Sequence, residues 1–456
     1  MAYRLSLVER DPERDRLSGR LARFARVGAG LSGAAASFGA NAMFSGADAE
    51  ARNARALRAA LGRLKGPLMK VAQMVATVPD LLPPQFAAEL TELQTNAPAM
   101  GPAFVRRRMA AELGPNWQAR FSRFELAPAA AASLGQVHRA TALDGRELAV
   151  KLQYPDMQSA VESDLAQLRG LLGLGRQLFG AIDTREIAEE IAERIREELD
   201  YDHEARAMRL YGAFFEKRGD IAVPVPDAAL STGRLISMDW LEGNGLQSFK
   251  SADQATRDRI AKLLFEAWWT PLTRIGVIHG DPHLGNYSFT GEADRLNLLD
   301  FGCIRIFPPA FVGGVVKLHR AMVAGDRAGE IEAYRAWGFE GLSADLIDVL
   351  SIWARFIYGP LLDDRVRTVA DGVSPGEYGR REAFQVKRAL EEKGPITIPR
   401  EFVFMDRAAI GLGAAFLHLR AAQNWRALFE ASLEGFSEES LRNRQGAALK
   451  VVGLAN

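Results

Sequence analysis

The sequence predicts an α+β fold in which a small sheet-bearing lobe is followed by a larger helical one. Residues 121–155 alternate as strands do around an Asp144-Gly145 turn. A helical stripe follows, with Ile187, Ile191, Ile195 and Leu199 spaced four apart. Beyond about residue 255 helical periodicity dominates, broken only by short β-like passages around the stretch NYSFTGEADRLNLLDFG.

Taken in order, the opening MAYRLSLVERDPERDRL is charged where a secretory leader carries its apolar run. VGAGLSGAAASFGANAMFSGA, residues 27–47, has no charge, but Gly, Ala and Ser make it weakly hydrophobic and a poor helix former. It reads as linker rather than membrane span, so residues 1–48 are taken as an N-terminal segment and Gly/Ala-rich linker. Residues 49–118 read as a helical extension: apolar residues recur at helical spacing, Gly66-Pro67 interrupts them, and Pro83-Pro84 opens a further helix. Residues 119–243 form the sheet-bearing lobe, with strand, loop, strand, turn and strand, then a long helix, then the β pattern of VPVPDAALSTGRLISMDWLEG. Residues 244–456 supply the helical lobe.

The 456 residues exceed one ordinary core and suggest two or three packed units. Lys plus Arg (57) equals Asp plus Glu (57), so no bulk charge favours nucleic acid, and any bound anion must be met locally. Cys303 is the lone cysteine, which excludes an intrachain disulfide or thiolate zinc site and agrees with a reducing compartment. A cytoplasmic location is expected.

Chemistry concentrates in HGDPHLGNYSF, residues 279–289, which packs two histidines, an aspartate and an asparagine into one turn. Asp281 follows an apolar run, Asn286 comes five residues later, and Asp300 closes the run LNLL and begins DFG. An Asp that accepts a proton, with an Asn and a second Asp holding Mg²⁺ against phosphate oxygens, is the division of labour in kinase-type phosphoryl transfer. Upstream, Lys151 ends the strand ELAVK, and Glu198 falls angularly between Ile187 and Ile191, inside the apolar arc of its helix. A carboxylate there needs a partner, and Lys151 is the candidate. SMDWLEG, with Met238, Asp239, Trp240 and Leu241, reads as a hinge whose backbone can bond an adenine edge. His279, Asp281 and His283 as a metal site, or a plain hydrogen-bonded turn, are the competing readings of the loop.

The ordered set KVAQ, AAAASLGQVHRA, AVKLQYP, EELDYDHEA, HGDPHLGN and LLDFG resembles the UbiB/AarF family of atypical, protein-kinase-like proteins across about residues 55–425. The resemblance implies a two-lobed protein-kinase-like fold with an N-terminal helical extension packed over the active site. It makes Lys151 the phosphate-binding lysine, Glu198 with Asp200 the ExD motif, Asp281 the catalytic-loop aspartate, and Asn286 and Asp300 the metal ligands. Ala130, Ala131, Ala132 and Ser133 match the alanine-rich loop that replaces a Gly-rich one. Alanine reaches phosphate-wrapping backbone angles only with strain, so nucleotide contact is expected to be altered rather than abolished. Lys70 and Gln73 match the KxGQ cap, with Ala72 where the family has Gly. Leu284 stands where many members have Pro.

The implied cofactors are ATP or ADP with Mg²⁺. The implied partners are nucleotide, a membrane lipid or isoprenoid quinone precursor, and quinone-biosynthesis proteins, without nucleic acid. Peripheral attachment to the cytoplasmic membrane accompanies that role. Two further classes stay open: a small-molecule phosphotransferase, since antibiotic and choline kinases carry similar HGD…N loops, and a non-catalytic pseudokinase scaffold that binds nucleotide or lipid.

Overall fold

The computed structural model describes residues 100–132, 134–155, 157, 161, 196–339, 341–370, 388 and 399–455. Among these, residues 100–201 with 227–239 form one compact unit, and residues 202–226 with 240–455 form a second.

The first unit is built on a five-stranded sheet of β1 (Phe121–Phe124), β2 (Ala130–Ala132), β3 (Gly135–Ala142), β4 (Glu147–Gln153) and β6 (Leu235–Asp239). Its order is β1-β3-β4-β6, with β2 also paired to β3. The β3–β4 hairpin turns at Asp144-Gly145, where Gly145 takes φ +88°, a value that favours a residue without Cβ. Leu148, Val150 and Leu152 alternate along β4 and are fully buried. Helix α1 (Pro102–Leu113) covers that face: Pro102 sits in its first turn, and Val105, Met109 and Leu113 recur every four residues into the same core. Each such side chain removed from water contributes about 1.5–3 kcal/mol.

Arg108 and Glu112 of α1 are buried at its edge. The Glu112 carboxylate receives Arg108 at 3.2 Å, Arg234 at 3.0 Å and the Thr232 hydroxyl at 2.7 Å. That network ties α1 to the turn that leads into β6. The alanine-rich stretch, expected as a loop, is a strand: Ala130, Ala131 and Ala132 pair with Val137, Gln136 and Gly135. Three small residues offer nothing that opposes pairing on an exposed edge, so the ladder continues to the tip of the hairpin.

The second unit is mostly helical. Helix α2 (Tyr201–Phe215) leads to the short strand β5 (Ile221–Ala222), which pairs in parallel with β10 (Arg295–Leu298). Strand β10 pairs antiparallel with β9 (Tyr287–Thr290), which pairs with β7 (Asn244–Gly245). Helix α3 (Gln254–Ile275) is capped by the Asp253 side chain at its start and by Gly276 at φ +65° at its end. Gly276 also has no room for a side chain, because a Cβ there would lie 2.2 Å from Gln445 Nε2. The chain then enters β8 (Val277–His279), paired antiparallel with β11 (Ile304–Ile306). Helices α4 (Pro309–Ala324), α5 (Arg327–Ala336), α6 (Ala344–Leu362), α7 (Arg400–Leu419), α8 (Trp425–Ser432) and α9 (Glu438–Val452) complete the unit. Trp268, Phe265, Phe416, Trp425 and Phe429 are buried in its interior. Among the described residues no helix is long and apolar enough to cross a membrane.

Candidate active site

The Asp281 loop is set by two strands and a glycine between them. Gly280 follows β8 and its N–H donates to the Cys303 carbonyl at 2.8 Å; a Cβ on it would stand 2.4 Å from that same oxygen. Only glycine passes, so the turn that presents Asp281 is fixed by the β8–β11 pairing. The Asp281 carboxylate accepts from the His283 N–H at 3.2 Å and from Asn286 Nδ2 at 3.0 Å. Asn286 closes a 3₁₀ turn over Leu284–Asn286, and its carbonyl accepts from Leu299 N–H at 3.0 Å, one residue before Asp300. Asp300 in turn accepts from the Gly302 N–H at 2.9 Å. Asp281, Asn286 and Asp300 are all half-buried.

The two histidines orient this loop through backbone groups. His279, 1% exposed, donates from Nε2 to the Asp300 carbonyl, which links the end of β8 to the DFG segment. Its ring lies among Tyr211, Trp268, Tyr287 and Phe301. His283 is exposed and accepts from the Gly285 N–H through Nδ1 at 3.1 Å. Among the described residues no group of three or more His, Cys, Asp or Glu is placed to hold a metal.

A buried relay backs the loop. Trp268 Nε1 donates to the Tyr287 hydroxyl at 2.9 Å, and Tyr287 donates to the Asp281 carbonyl at 3.4 Å. Burial, and next the negative charge of Asp281, push the Tyr287 phenol well above its ordinary range, so it stays a neutral donor. On the other side Pro282 packs on α7, where a Cβ added to Gly411 would meet the proline ring at 2.1 Å. Tyr287, Trp268 and Gly411 escape a motif-based reading. The one local signal is the Tyr that directly follows Asn286.

In the first unit, Lys151 is 9% exposed on β4, opposite Val137 and Ile236, with its ammonium 5.3 Å above the Tyr201 ring. Two residues on, Gln153 Nε2 donates to the Leu199 carbonyl at 2.7 Å. That bond brings the helical run 196–198, and with it half-buried Glu198, to the strand that carries Lys151. Asp200 is exposed. A Cβ on Gly135 would stand 2.2 Å from the Leu152 carbonyl and 3.2 Å from the Tyr201 hydroxyl, so the tip of the alanine hairpin is pressed against β4. Met238 is buried in β6 and half-buried Asp239 meets Arg146 at 3.7 Å. The chain passes from the first unit into the second between Asp239 and Trp240, the last of its crossings; Trp240 and Leu241 are half-buried. Ser133, Lys70, Ala72 and Gln73 lie outside the described residues, as does the N-terminal extension up to residue 99.

The donor chemistry of the loop suits a hard divalent cation. Asn286 spends Nδ2 on Asp281, which turns its Oδ1 away from that carboxylate. Carboxylate and amide oxygens with completing waters are what Mg²⁺ takes.

Comparison with known proteins agrees with this architecture. The model of the ABC1 atypical kinase-like domain matches residues 92–334, more than half of the chain, and the protein belongs to that family. The curated relatives include the mitochondrial atypical kinase COQ8 of Saccharomyces cerevisiae, 29% identical over 271 residues, a match that takes in 59% of this chain and 54% of the relative. They also include AarF domain-containing protein kinase 1 of Xenopus laevis, 28% identical over 269 residues and covering 58% of this chain and 52% of the relative. The matches thus span about half the length of these relatives. Among solved structures, the complex of Rv3197 with erythromycin from Mycobacterium tuberculosis aligns with TM-score 0.60 at 28% identity, over 83% of this chain and 95% of that one. The UbiB/AarF assignment and the protein-kinase-like α+β fold stand.

Proposed function

We propose that this chain is a Mg²⁺-dependent atypical kinase that binds and hydrolyses ATP, in support of isoprenoid quinone (ubiquinone) biosynthesis at a membrane surface. The observation that carries the proposal is the Asp281–Asn286 hydrogen bond at 3.0 Å, inside a loop that β8, β11 and the DFG segment hold from three sides. In this reading Asp281 orients the attacking hydroxyl or water and takes its proton. Asn286 and Asp300 would hold Mg²⁺, which when bound would supply charge neutralisation at the phosphoryl oxygens. Lys151 contacts the nucleotide phosphates, and Glu198 holds its ammonium in place. Ala130, Ala131, Ala132 and Ser133 contact the phosphates, and Met238, Asp239, Trp240 and Leu241 line the adenine. Lys70 and Gln73 act as a regulatory cap. The quinone role rests on the resemblance to the UbiB/AarF family, supported by the COQ8 relatives.

The test is ATP turnover by the purified chain with and without lipid vesicles, wild type against Asp281→Asn. Loss of one group that acts only on the transition state costs about 10²–10³ in rate; equal rates overturn the assignment. A small-molecule acceptor is the second reading, favoured by the erythromycin complex of the Mycobacterium tuberculosis neighbour. Stoichiometric transfer to a hydroxylated small molecule would select it.

A further inference from the structure

Away from the Asp281 loop, a pocket of about 570 Å³ opens between the segment after Phe249, the start of α3 and the end of α7. Its polar lining is Lys250, Ser251, Arg257, His418 and Arg420, with Leu417 as the apolar wall. No acidic side chain lines it, and none of the cations is ion-paired with a described residue. The carboxylates nearest in sequence form no ion pair with these cations and bond to neutral donors instead. Asp253 accepts from Thr256 N–H and Oγ1–H, both at 2.9 Å, as the cap of α3. Asp258 accepts from the Ala422 N–H and from Gln254 Nε2, each at 2.7 Å.

The bland explanation is that Arg420 offsets the negative end of the α7 dipole, since burial and the charge of Lys250 hold the His418 imidazole below its ordinary range. It does not reach Lys250, which comes from another segment, or Arg257, which stands four positions into α3, at the positive end of that helix. Arg257 donates from Nη2 to the neutral Gln254 Oε1 at 2.5 Å, and its buried Nε has no hydrogen-bond partner. Arg420 holds φ +49°, a left-handed conformation that favours glycine at a helix end. Like charges gathered in a concave site raise the local potential and draw a counter-charge.

We propose that this pocket, built from Lys250, Ser251, Arg257, His418 and Arg420, binds a phosphoryl-bearing anion at a site separate from the Asp281 loop. Guanidinium forks match phosphate oxygens bidentately, a hydroxyl adds a neutral donor, and the volume falls in the range of small-molecule sites. The phosphoryl group arrives on a soluble molecule or on a lipid headgroup.

The experiment titrates pyrophosphate into the full chain without Mg²⁺ by calorimetry, and floats the chain on phosphatidylcholine vesicles with and without phosphatidate. Arg257→Gln/Arg420→Gln is compared with wild type, and Lys250→Glu, a change at an exposed position, serves as the variant that keeps the fold. The expected result is a loss of at least about tenfold in pyrophosphate affinity, or in phosphatidate-dependent flotation, because charge-assisted bonds are removed. Which arm responds names the source of the phosphoryl group. Mg·ATP affinity stays unchanged in both variants, while Asp300→Asn loses Mg·ATP and keeps pyrophosphate binding at this pocket. Pyrophosphate affinity and flotation unaltered in both variants overturn the proposal.

Discussion

Replacing Gly411 by alanine should destabilise the protein although the position lies inside a helix. Within α7, alanine is worth about 0.5–1 kcal/mol more than glycine in helix propensity alone. The new methyl, however, would sit 2.1 Å from Pro282 Cγ and 2.6 Å from its Cβ. Carbon pairs rest at about 3.5–4.0 Å, so the overlap exceeds an ångström. A pyrrolidine ring has no rotamer to escape into, and relief requires the backbone that carries Asp281 to shift. Overpacking of this kind costs about 1–3 kcal/mol, which leaves a net loss of up to about 2.5 kcal/mol after the propensity gain. Because the displaced residue adjoins Asp281, turnover should fall by about 10²-fold for a shift near 1 Å. Urea denaturation and ATP turnover read the two effects, and a cycle with Pro282→Gly should show coupling of about 1 kcal/mol or more. A Gly411→Ala protein that is more stable than wild type, with turnover intact, would refute the packing of the loop on α7.

Tyr287→Phe should cost about 1–3 kcal/mol, because Trp268 Nε1 is left buried without an acceptor, and should lower turnover by loosening Asp281; a neutral change in urea midpoint speaks against the relay. Glu112→Ala should cost about 1.5–3 kcal/mol, since the charge-assisted bonds from Arg108 and Arg234 are lost. A loss below about 1 kcal/mol would mean that the network contributes little. Burial holds the imidazoles of His138 and His319 below the usual 6.5, so the unfolded chain binds their protons first. Their contribution is complete above about pH 6.5 and drains as pH falls below it, so melting temperature should drop between about pH 7.5 and 5.5. His138→Gln/His319→Gln should flatten that slope; an unchanged slope assigns it to other groups.

Local chemistry explains what was legible in the sequence. Asp144-Gly145 announces its hairpin because the turn needs φ > 0 and little else, and α1 announces itself by Pro102 and apolar residues every four positions. Asp281 and Asn286 stand only five positions apart, and the 3₁₀ turn over Leu284–Asn286 folds the second back toward the first, so the short spacing already kept them in one loop. The alanine stretch misled because its composition reports absence of side chains, and a pairing partner, Gly135–Val137, decided its state. The Gly411–Pro282 contact, the Trp268–Tyr287 relay and the Arg257–Arg420 pocket join residues 19 to 163 positions apart, and no periodicity encodes such pairings.

The most direct measurement is Mn²⁺ binding by electron paramagnetic resonance, with Mn²⁺ in place of Mg²⁺ and a non-hydrolysable ATP analogue present. One tightly held ion per chain is expected in wild type, dependent on the nucleotide, and strongly weakened in Asn286→Ala and in Asp300→Asn. Nucleotide-dependent Mn²⁺ binding that survives both substitutions would contradict the assignment of Asn286 and Asp300, and with it the phosphoryl-transfer chemistry built on the Asp281 loop.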